Sequence, residues 1–124
     1  MIGILGAGAL GCMWAGYLSR HVPTVLLTRP GSLDSHRDYV LQTPDGQDFP
    51  ITVPCTTTTR LPDACTLVLV TTKSADVVPA LDTVFSHHPR MHDTPVVLLQ
   101  NGLASQTEAC RRWPHACLLA ATTT

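Results

Sequence analysis

The stretch MIGILGAGALG, residues 1–11, decides the fold class of this chain. Its first part, residues 1–5, is a short apolar run that stops at a glycine, which is typical of a buried strand. In a dinucleotide-binding turn, one glycine permits the tight turn, one lets the backbone approach a pyrophosphate, and one lets the helix pack on the strand. The second part matches this G-x-G-x-x-G pattern and consists of Gly6, Ala7, Gly8, Ala9, Leu10 and Gly11.

A helix and a second strand are expected directly after this turn. Residues 24–28 form an apolar run that Arg29-Pro30-Gly31 ends, as they would end a strand. The glycine pattern therefore opens a strand-helix-strand unit, and we interpret it as a loop that binds a pyrophosphate at the positive end of the helix. A tight turn that binds no ligand is the alternative. The predicted helix has an apolar face at helical spacing, made of Leu10, Met13, Trp14, Tyr17 and Leu18.

The remaining sequence continues to alternate strands and helices. Two extended runs in residues 39–53 flank Pro44-Asp45-Gly46 and predict an inserted antiparallel hairpin. The pattern predicts an α/β protein with a Rossmann-like, doubly wound, mostly parallel sheet, whose ligands bind at the carboxyl ends of the strands. Further strands are expected at residues 66–72, 96–100 and 116–121. One helix is expected after a cap at Asp76. Another is expected to begin with the capping box Ser105 to Glu108 and to end before Pro114.

Composition narrows the class of protein. The chain has 124 residues, of which 44% are hydrophobic and 14% charged, and its net charge is -1. One globular domain is expected, and neither a disordered tail nor a polybasic nucleic-acid binder fits. No apolar run approaches the roughly 18 residues of a membrane span, and residues 1–6 lack the basic start of a signal peptide. We therefore expect a soluble, untargeted, cytoplasmic protein with no nucleic-acid or membrane partner.

Cysteine and histidine usage points away from disulfides and metals. The five cysteines are an odd number without a C-x-x-C pair, which fits reduced thiols in the cytosol. His87, His88 and His92 form the one histidine cluster, among Pro89 and Arg90, and we interpret this segment as a solvated loop rather than a metal site. No bound metal is expected.

The end of the second strand decides between NAD and NADP. An NAD-selective site has an acidic residue there for the ribose 2′-hydroxyl, but residues 1–33 contain no Asp or Glu. Arg29 stands at this position, and a guanidinium matches a 2′-phosphate bidentately. The sequence therefore favours NADP, with an exposed Arg29 that pairs with Asp34 as the alternative.

Two further residues follow predicted strands. Lys73 follows residues 66–72 and would reach ribose hydroxyls or phosphate oxygens, unless it is an ordinary surface lysine. Asn101 follows residues 96–100 and would bind both a ribose and a substrate, unless it only forms an Asn-Gly turn. Cys12 lies near the start of the first helix, where we expect a small buried side chain rather than a reactive thiol.

Several segments, taken together, resemble one enzyme family. They are GAGALG (residues 6–11), the strand-end Arg29, the hairpin at Asp45-Gly46, VTTK (residues 70–73), LLQNG (residues 98–102) and ATTT (residues 121–124). In this order they resemble the N-terminal NADP-binding domain of the ketopantoate reductases, which are the 2-dehydropantoate 2-reductases of pantothenate and coenzyme A biosynthesis. The resemblance covers essentially the whole chain. GAGALG also occurs in many other dehydrogenases.

The resemblance implies a division of roles. Residues 6–11 would hold the NADPH pyrophosphate, Arg29 the 2′-phosphate, and Lys73 and Asn101 the ribose, with Asn101 also touching the 2-keto acid substrate. By this resemblance, the family's general-acid lysine and its substrate-binding glutamate would belong to a helical C-terminal domain, which we expect to be absent from these 124 residues. Lys73, the sole lysine here, matches a cofactor position, so no catalytic residue is assigned within residues 1–124.

These expectations leave alternatives open. A chain without the family's acid is expected to be a fragment that is inactive alone, and a stand-alone, non-catalytic dinucleotide-sensing module is the alternative. Among enzymes, another NAD(P) dehydrogenase, of the glycerol-3-phosphate or hydroxyacid type, is the second choice. The sequence leaves the oligomeric state open.

Overall fold

One sheet of seven strands organises the part of the chain that the computed structural model describes, residues 1–100 and 103–121. Its order is β3-β4-β2-β1-β5-β6-β7, and every neighbouring pair is parallel except β3 and β4. This confirms the predicted Rossmann-like class. The strands are β1 (Ile2–Leu5), β2 (Thr24–Thr28), β3 (His36–Gln42), β4 (Asp48–Thr57), β5 (Leu67–Val70), β6 (Val96–Leu98) and β7 (Leu118–Ala120), and the helices are α1 (Ala9–Leu18), α2 (Val77–His87) and α3 (Ala104–Arg112).

The central strands are apolar because both of their faces are covered. β2 is buried along its whole length, and Ile4 of β1 lies in register with Leu26 on one side and Leu69 on the other. Alternate residues of each strand point to opposite faces, so the core divides into two clusters. One cluster contains Leu81 of α2 and Ala109 of α3, and the other contains Ala15 of α1.

Helix α1 packs on the sheet through small residues, so the predicted apolar face is wrong in part. Its buried residues are Gly11, Ala15 and Gly16, whereas Met13 is 38% exposed. The larger side chains of Trp14, Tyr17 and Leu18 are only partly buried and pack beside the contact rather than within it. A helix that approaches a sheet closely needs small residues at the contact. The large apolar residues of α1 therefore lie on its flanks, and their spacing predicted the wrong face.

The hairpin is longer than predicted and is part of the main sheet. β3 and β4 pair antiparallel from His36 opposite Pro54 to Gln42 opposite Asp48, around a turn where Gly46 has a φ of 86°. The far end of β4 runs parallel to β2, with Thr57 opposite Thr28. The predicted antiparallel hairpin is therefore confirmed, and it extends the edge of the main sheet because the backbone of β4 pairs with that of β2.

Of the two predicted helix caps, Asp76 is confirmed in position only, and the capping box is wrong. Asp76 occupies the N-cap position of α2, but its side chain makes no capping hydrogen bond, and a 3-10 turn over Ser74–Asp76 leads into the helix. Helix α3 begins at Ala104, so Ser105 lies inside the helix as a buried residue and the capping box does not form. The predicted end before Pro114 is confirmed, because α3 ends at Arg112.

The approach of α1 to the sheet yields a stability prediction. A Cβ added at Gly11 would lie 1.8 Å from the Gly6 carbonyl oxygen, whereas a Cβ at Gly8 meets nothing within 4 Å. An extra methyl group in a packed core destabilises a protein by about 1–3 kcal/mol when neighbouring side chains can move aside, and a backbone carbonyl moves less easily. We expect Gly11→Ala to lower the free energy of unfolding by at least about 3 kcal/mol in urea denaturation. The control Gly8→Ala should change it by less than about 1 kcal/mol, and equal losses would contradict this packing account.

Candidate functional site

A cleft of about 1090 Å³ opens at the carboxyl ends of the central strands. It lies where the strand order reverses about β1, with β2 on one side and β5 on the other. Open α/β sheets bind their ligands at such a switch point. The glycine loop, the segment after β2, the segment after β5 and the first turns of α2 line the cleft, and among its residues are Gly6, Gly8, Arg29, Ser32, Arg37, Thr72, Lys73, Pro79 and Gln100.

The glycine loop forms a ligand-accessible floor of this cleft. Gly6 has a φ of 110°, which makes the tight turn, and its N–H donates to the Leu27 carbonyl at 3.2 Å. Thr71 closes the turn from β5, because its hydroxyl lies 3.0 Å from the Gly6 carbonyl. Gly8 is exposed with open space at its Cβ position. The backbone can therefore be approached at Gly8, while Gly11 holds the helix close.

The start of α1 leaves backbone donors available. Its first intrahelical bond is donated by the Cys12 N–H to the Gly8 carbonyl at 2.9 Å. The N–H groups of the preceding residues, Ala9 to Gly11, consequently have no acceptor one turn back in the helix. Such N–H groups, together with the positive end of the helix dipole, favour an anion.

Arg29 lies at the mouth of the cleft, directly after β2, and its predicted contact with a 2′-phosphate stays a prediction. It is exposed and lines the cleft beside Ser32. The alternative hypothesis, that Arg29 pairs with Asp34, is wrong, because the Asp34 carboxylate lies 3.4 Å from the guanidinium of Arg37 instead. Among the described residues, Arg29 has no carboxylate within salt-bridge distance.

Lys73 lies on the opposite wall. It is exposed, lines the cleft and precedes the 3-10 turn that leads into α2. The neighbouring Gln100 fixes the ends of two strands, because its amide nitrogen donates to the carbonyls of Val70 at 2.9 Å and Thr72 at 3.0 Å. The predicted cofactor and substrate residue Asn101 lies outside the described residues.

Strand β3 contributes two residues to the site that the sequence reasoning missed. Arg37 donates to the Ala7 carbonyl in the glycine loop, and Tyr39 donates to the Cys12 carbonyl at 2.6 Å. They are two residues apart, so they share the face of β3 that meets α1. The two-residue spacing of Arg37 and Tyr39 in an extended run was the available signal, but it does not show that this face of β3 meets the glycine loop.

The surroundings of these two side chains raise their pKa values. The pKa of Arg37 is raised, chiefly because the guanidinium contacts the Cys12 thiol, and that of Tyr39 is raised to about 12, chiefly by burial. Burial also raises the pKa of the Cys55 thiol. At neutral pH Arg37 is therefore a fixed cation and Tyr39 a hydrogen-bond donor.

The described residues hold neither a metal cluster nor a membrane helix. All five cysteines are free thiols. No group of three or more His, Cys, Asp or Glu side chains converges within residues 1–100 and 103–121 as a metal site requires. None of the helices in that part of the chain combines the length and apolar content needed to cross a bilayer.

Comparison with known proteins places this fold among reductases. A family model described as ketopantoate reductase PanE/ApbA matches residues 2–124. A probable 2-dehydropantoate 2-reductase from Bacillus subtilis is 25% identical over 98% of the chain, with a TM-score of 0.74. A PanE/ApbA family ketopantoate reductase from Ralstonia eutropha is also 25% identical over 98%, with a TM-score of 0.73.

A third solved structure shares only the fold. It is the ternary structure of D-mandelate dehydrogenase with NADH and anilino(oxo)acetate, 18% identical over 98% of the chain, with a TM-score of 0.75. The chain covers 40% of the length of each of these three proteins. A search of curated proteins returns no match.

The raised pKa of Tyr39 yields a pH prediction. Because the folded-state pKa of about 12 exceeds the ordinary value of 10.0, Tyr39 contributes its full stability below pH 10 and loses it as the pH rises toward 12. We expect urea unfolding at a series of pH values to give a steeper fall in stability over this range for the unsubstituted chain than for Tyr39→Phe. Parallel curves for the two proteins would contradict a half-buried, hydrogen-bonded phenol.

Proposed function

The chain belongs to the ketopantoate reductase PanE/ApbA family, and on that premise we propose that residues 1–124 form its NADPH-binding domain. The observation that carries this proposal is the glycine loop at the switch point of the sheet, with an open approach at Gly8 and a cation, Arg29, at the mouth of the same cleft. A cleft of about 1090 Å³ suits a ligand of dinucleotide size.

The glycine loop is proposed to bind the cofactor pyrophosphate. Gly6, Ala7, Gly8, Ala9 and Leu10 line the cleft, and the free N–H groups of the first helical turn supply donors without a competing acceptor. Gly11 contributes indirectly, because its missing side chain allows α1 to begin next to the sheet.

Arg29 is proposed to select NADP over NAD. Residues 1–33 contain no carboxylate that would accept from a ribose 2′-hydroxyl, and Arg29 has no carboxylate partner among the described residues. A guanidinium presents several donors in a plane that matches a phosphate group. Lys73 and Asn101 are proposed to bind the ribose side of the cofactor, and Asn101 the substrate as well.

The proposed reaction is the reduction of a 2-keto acid, ketopantoate in this family, to the 2-hydroxy acid. NADPH, when bound, supplies the hydride that the keto carbon accepts, and the keto oxygen then takes a proton from an acid. We assign that acid and the main substrate contacts to a helical C-terminal domain, because the chain covers 40% of its relatives' length and Lys73 already serves the cofactor side. For the protein as a whole, the proposed compartment is the cytoplasm, where the thiols of all five cysteines would stay reduced.

Cofactor preference tests the proposal. A charge-assisted hydrogen bond contributes about 1.5–3 kcal/mol, which corresponds to roughly ten- to a hundredfold in affinity. We expect the chain to bind NADPH tighter than NADH by roughly that factor in calorimetry, and Arg29→Asp to narrow or reverse the preference. Equal affinities of the unsubstituted chain for the two cofactors would refute the assignment of Arg29.

Two controls separate charge from fold. Arg111→Asp changes the net charge by the same amount on α3, outside the cleft, and should leave the preference unchanged. Gly8→Val should abolish binding of both cofactors while the protein stays folded, because the new side chain fills the approach to the loop. Retained binding in Gly8→Val would mean that the loop is only a structural turn.

The division between two domains gives a kinetic prediction. A positioned acid contributes about 10²–10⁴-fold to such a step, and orientation of the substrate contributes further. We therefore expect no loss of NADPH absorbance above background when this chain is supplied with NADPH and ketopantoate. Turnover of roughly 1 s⁻¹ or faster would place an acid within residues 1–124 and would make Lys73 the first residue to substitute.

A further inference from the structure

A second arginine enters the cleft from strand β3. The guanidinium of Arg37 donates to the Ala7 carbonyl, contacts the Cys12 thiol at 4.0 Å and lies 3.4 Å from the Asp34 carboxylate. Arg37 lines the same cleft as Arg29 and Ser32, and its side chain is 31% exposed. Besides Lys73, the cleft is therefore lined by two cations, Arg29 and Arg37, and of these two the proposed function uses only Arg29.

The ion pair of Arg37 with Asp34 is weak. Charge-assisted N–H···O bonds are typically about 2.7–2.9 Å long, whereas this contact measures 3.4 Å and its carboxylate is 57% exposed. Water and salt screen such a pair, which contributes little to stability. A guanidinium has five N–H donors, and the contact with Ala7 occupies one of them. Arg37 can therefore exchange Asp34 for a stronger anion.

The hydrogen bond to the Ala7 carbonyl pre-organises the Arg37 guanidinium for binding an anion. One end of the guanidinium is held by a carbonyl of the glycine loop, so little side-chain freedom remains to be lost when an anion binds. Tyr39, on the same face of β3, holds the first turn of α1 through the Cys12 carbonyl. The guanidinium is thus fixed relative to the loop that starts the helix.

We propose that Arg37 acts with Arg29 to bind the phosphate on the 2′-oxygen of the cofactor's adenosine, and that Asp34 is the resting partner which this phosphate displaces. The inference rests on the proposed function and adds to it a specificity residue and an internal competitor. A phosphate monoester carries about -1.5 to -2 charges at pH 7, which two guanidinium groups balance better than one. Asp34 carries the same sign as the phosphate and opposes its binding.

Adenosine 2′,5′-bisphosphate and adenosine 5′-monophosphate isolate this contact. Both carry the 5′-phosphate that approaches the glycine loop, so loss of the Ala7 anchor should weaken both equally. Only the bisphosphate has the 2′-phosphate. The ratio of the two affinities, measured by calorimetry, therefore reports how much the charge of Arg37 contributes to binding the 2′-phosphate. A change in the shape of the loop would affect both ligands and cancel in the ratio.

The two partners should shift this ratio in opposite directions. We expect Arg37→Met to lower the preference for the bisphosphate by about tenfold. Asp34→Asn should raise the preference severalfold, because it removes both the competitor and the repulsion. The control Asp38→Asn, on the exposed side of β3 where Asp38 accepts from Thr52, should leave the ratio unchanged.

The outcomes distinguish this inference from the proposed function. If the unsubstituted chain does not prefer the bisphosphate, the assignment of NADP is wrong. If it prefers the bisphosphate but Arg37→Met and Asp34→Asn keep the same ratio, the inference is overturned while the proposed function stands. If Arg37→Met does not fold, Asp34→Asn decides alone, because Asp34 is exposed, and an unchanged ratio in that variant overturns the inference.

Discussion

The carbonyl oxygen of Gly6 lies 1.8 Å from where a Cβ on residue 11 would be, and this approach of α1 to the end of β1 constrains the rest of the structure. A helix that starts so close to a strand end directs its free N–H groups toward the carboxyl edge of the sheet. Any side chain at residue 11 would move the helix away. The start of α1 can therefore lie at the edge of the cleft because Gly11 has no side chain.

The close approach is stabilised from two sides. On one side, the single hydroxyl proton of Thr71 lies within hydrogen-bond reach of the carbonyls of both Leu5 and Gly6, which ties the turn to β5. On the other, Arg37 and Tyr39 of β3 donate to carbonyls of the loop and of α1. The hairpin thus links the edge of the sheet to its central turn. In the proposed function, the same contacts hold the pyrophosphate-binding loop and a second cation in one rigid unit.

Residue chemistry explains which sequence predictions are confirmed. Strands β1, β2 and β5 are apolar on both faces, so their burial and parallel pairing follow from composition alone. The burial of α2 through Val77, Leu81 and Val84 also follows from the spacing of its apolar residues. Predictions about α1 and α3 were less accurate. In α1 the contact requires small residues, and in α3 Ser105 is buried inside the helix instead of capping it.

The sequence by itself determined the α/β class, the glycine turn and the strand-end positions of Arg29 and Lys73, because these depend on local periodicity and on backbone freedom. Only the tertiary structure decided that Asp34 pairs with Arg37 rather than Arg29. It also decided that β4 continues the sheet beside β2, and that β3 consequently presents Arg37 to Ala7, thirty positions away in the chain. Contacts of this kind depend on strand order and side-chain reach, which local sequence patterns do not encode.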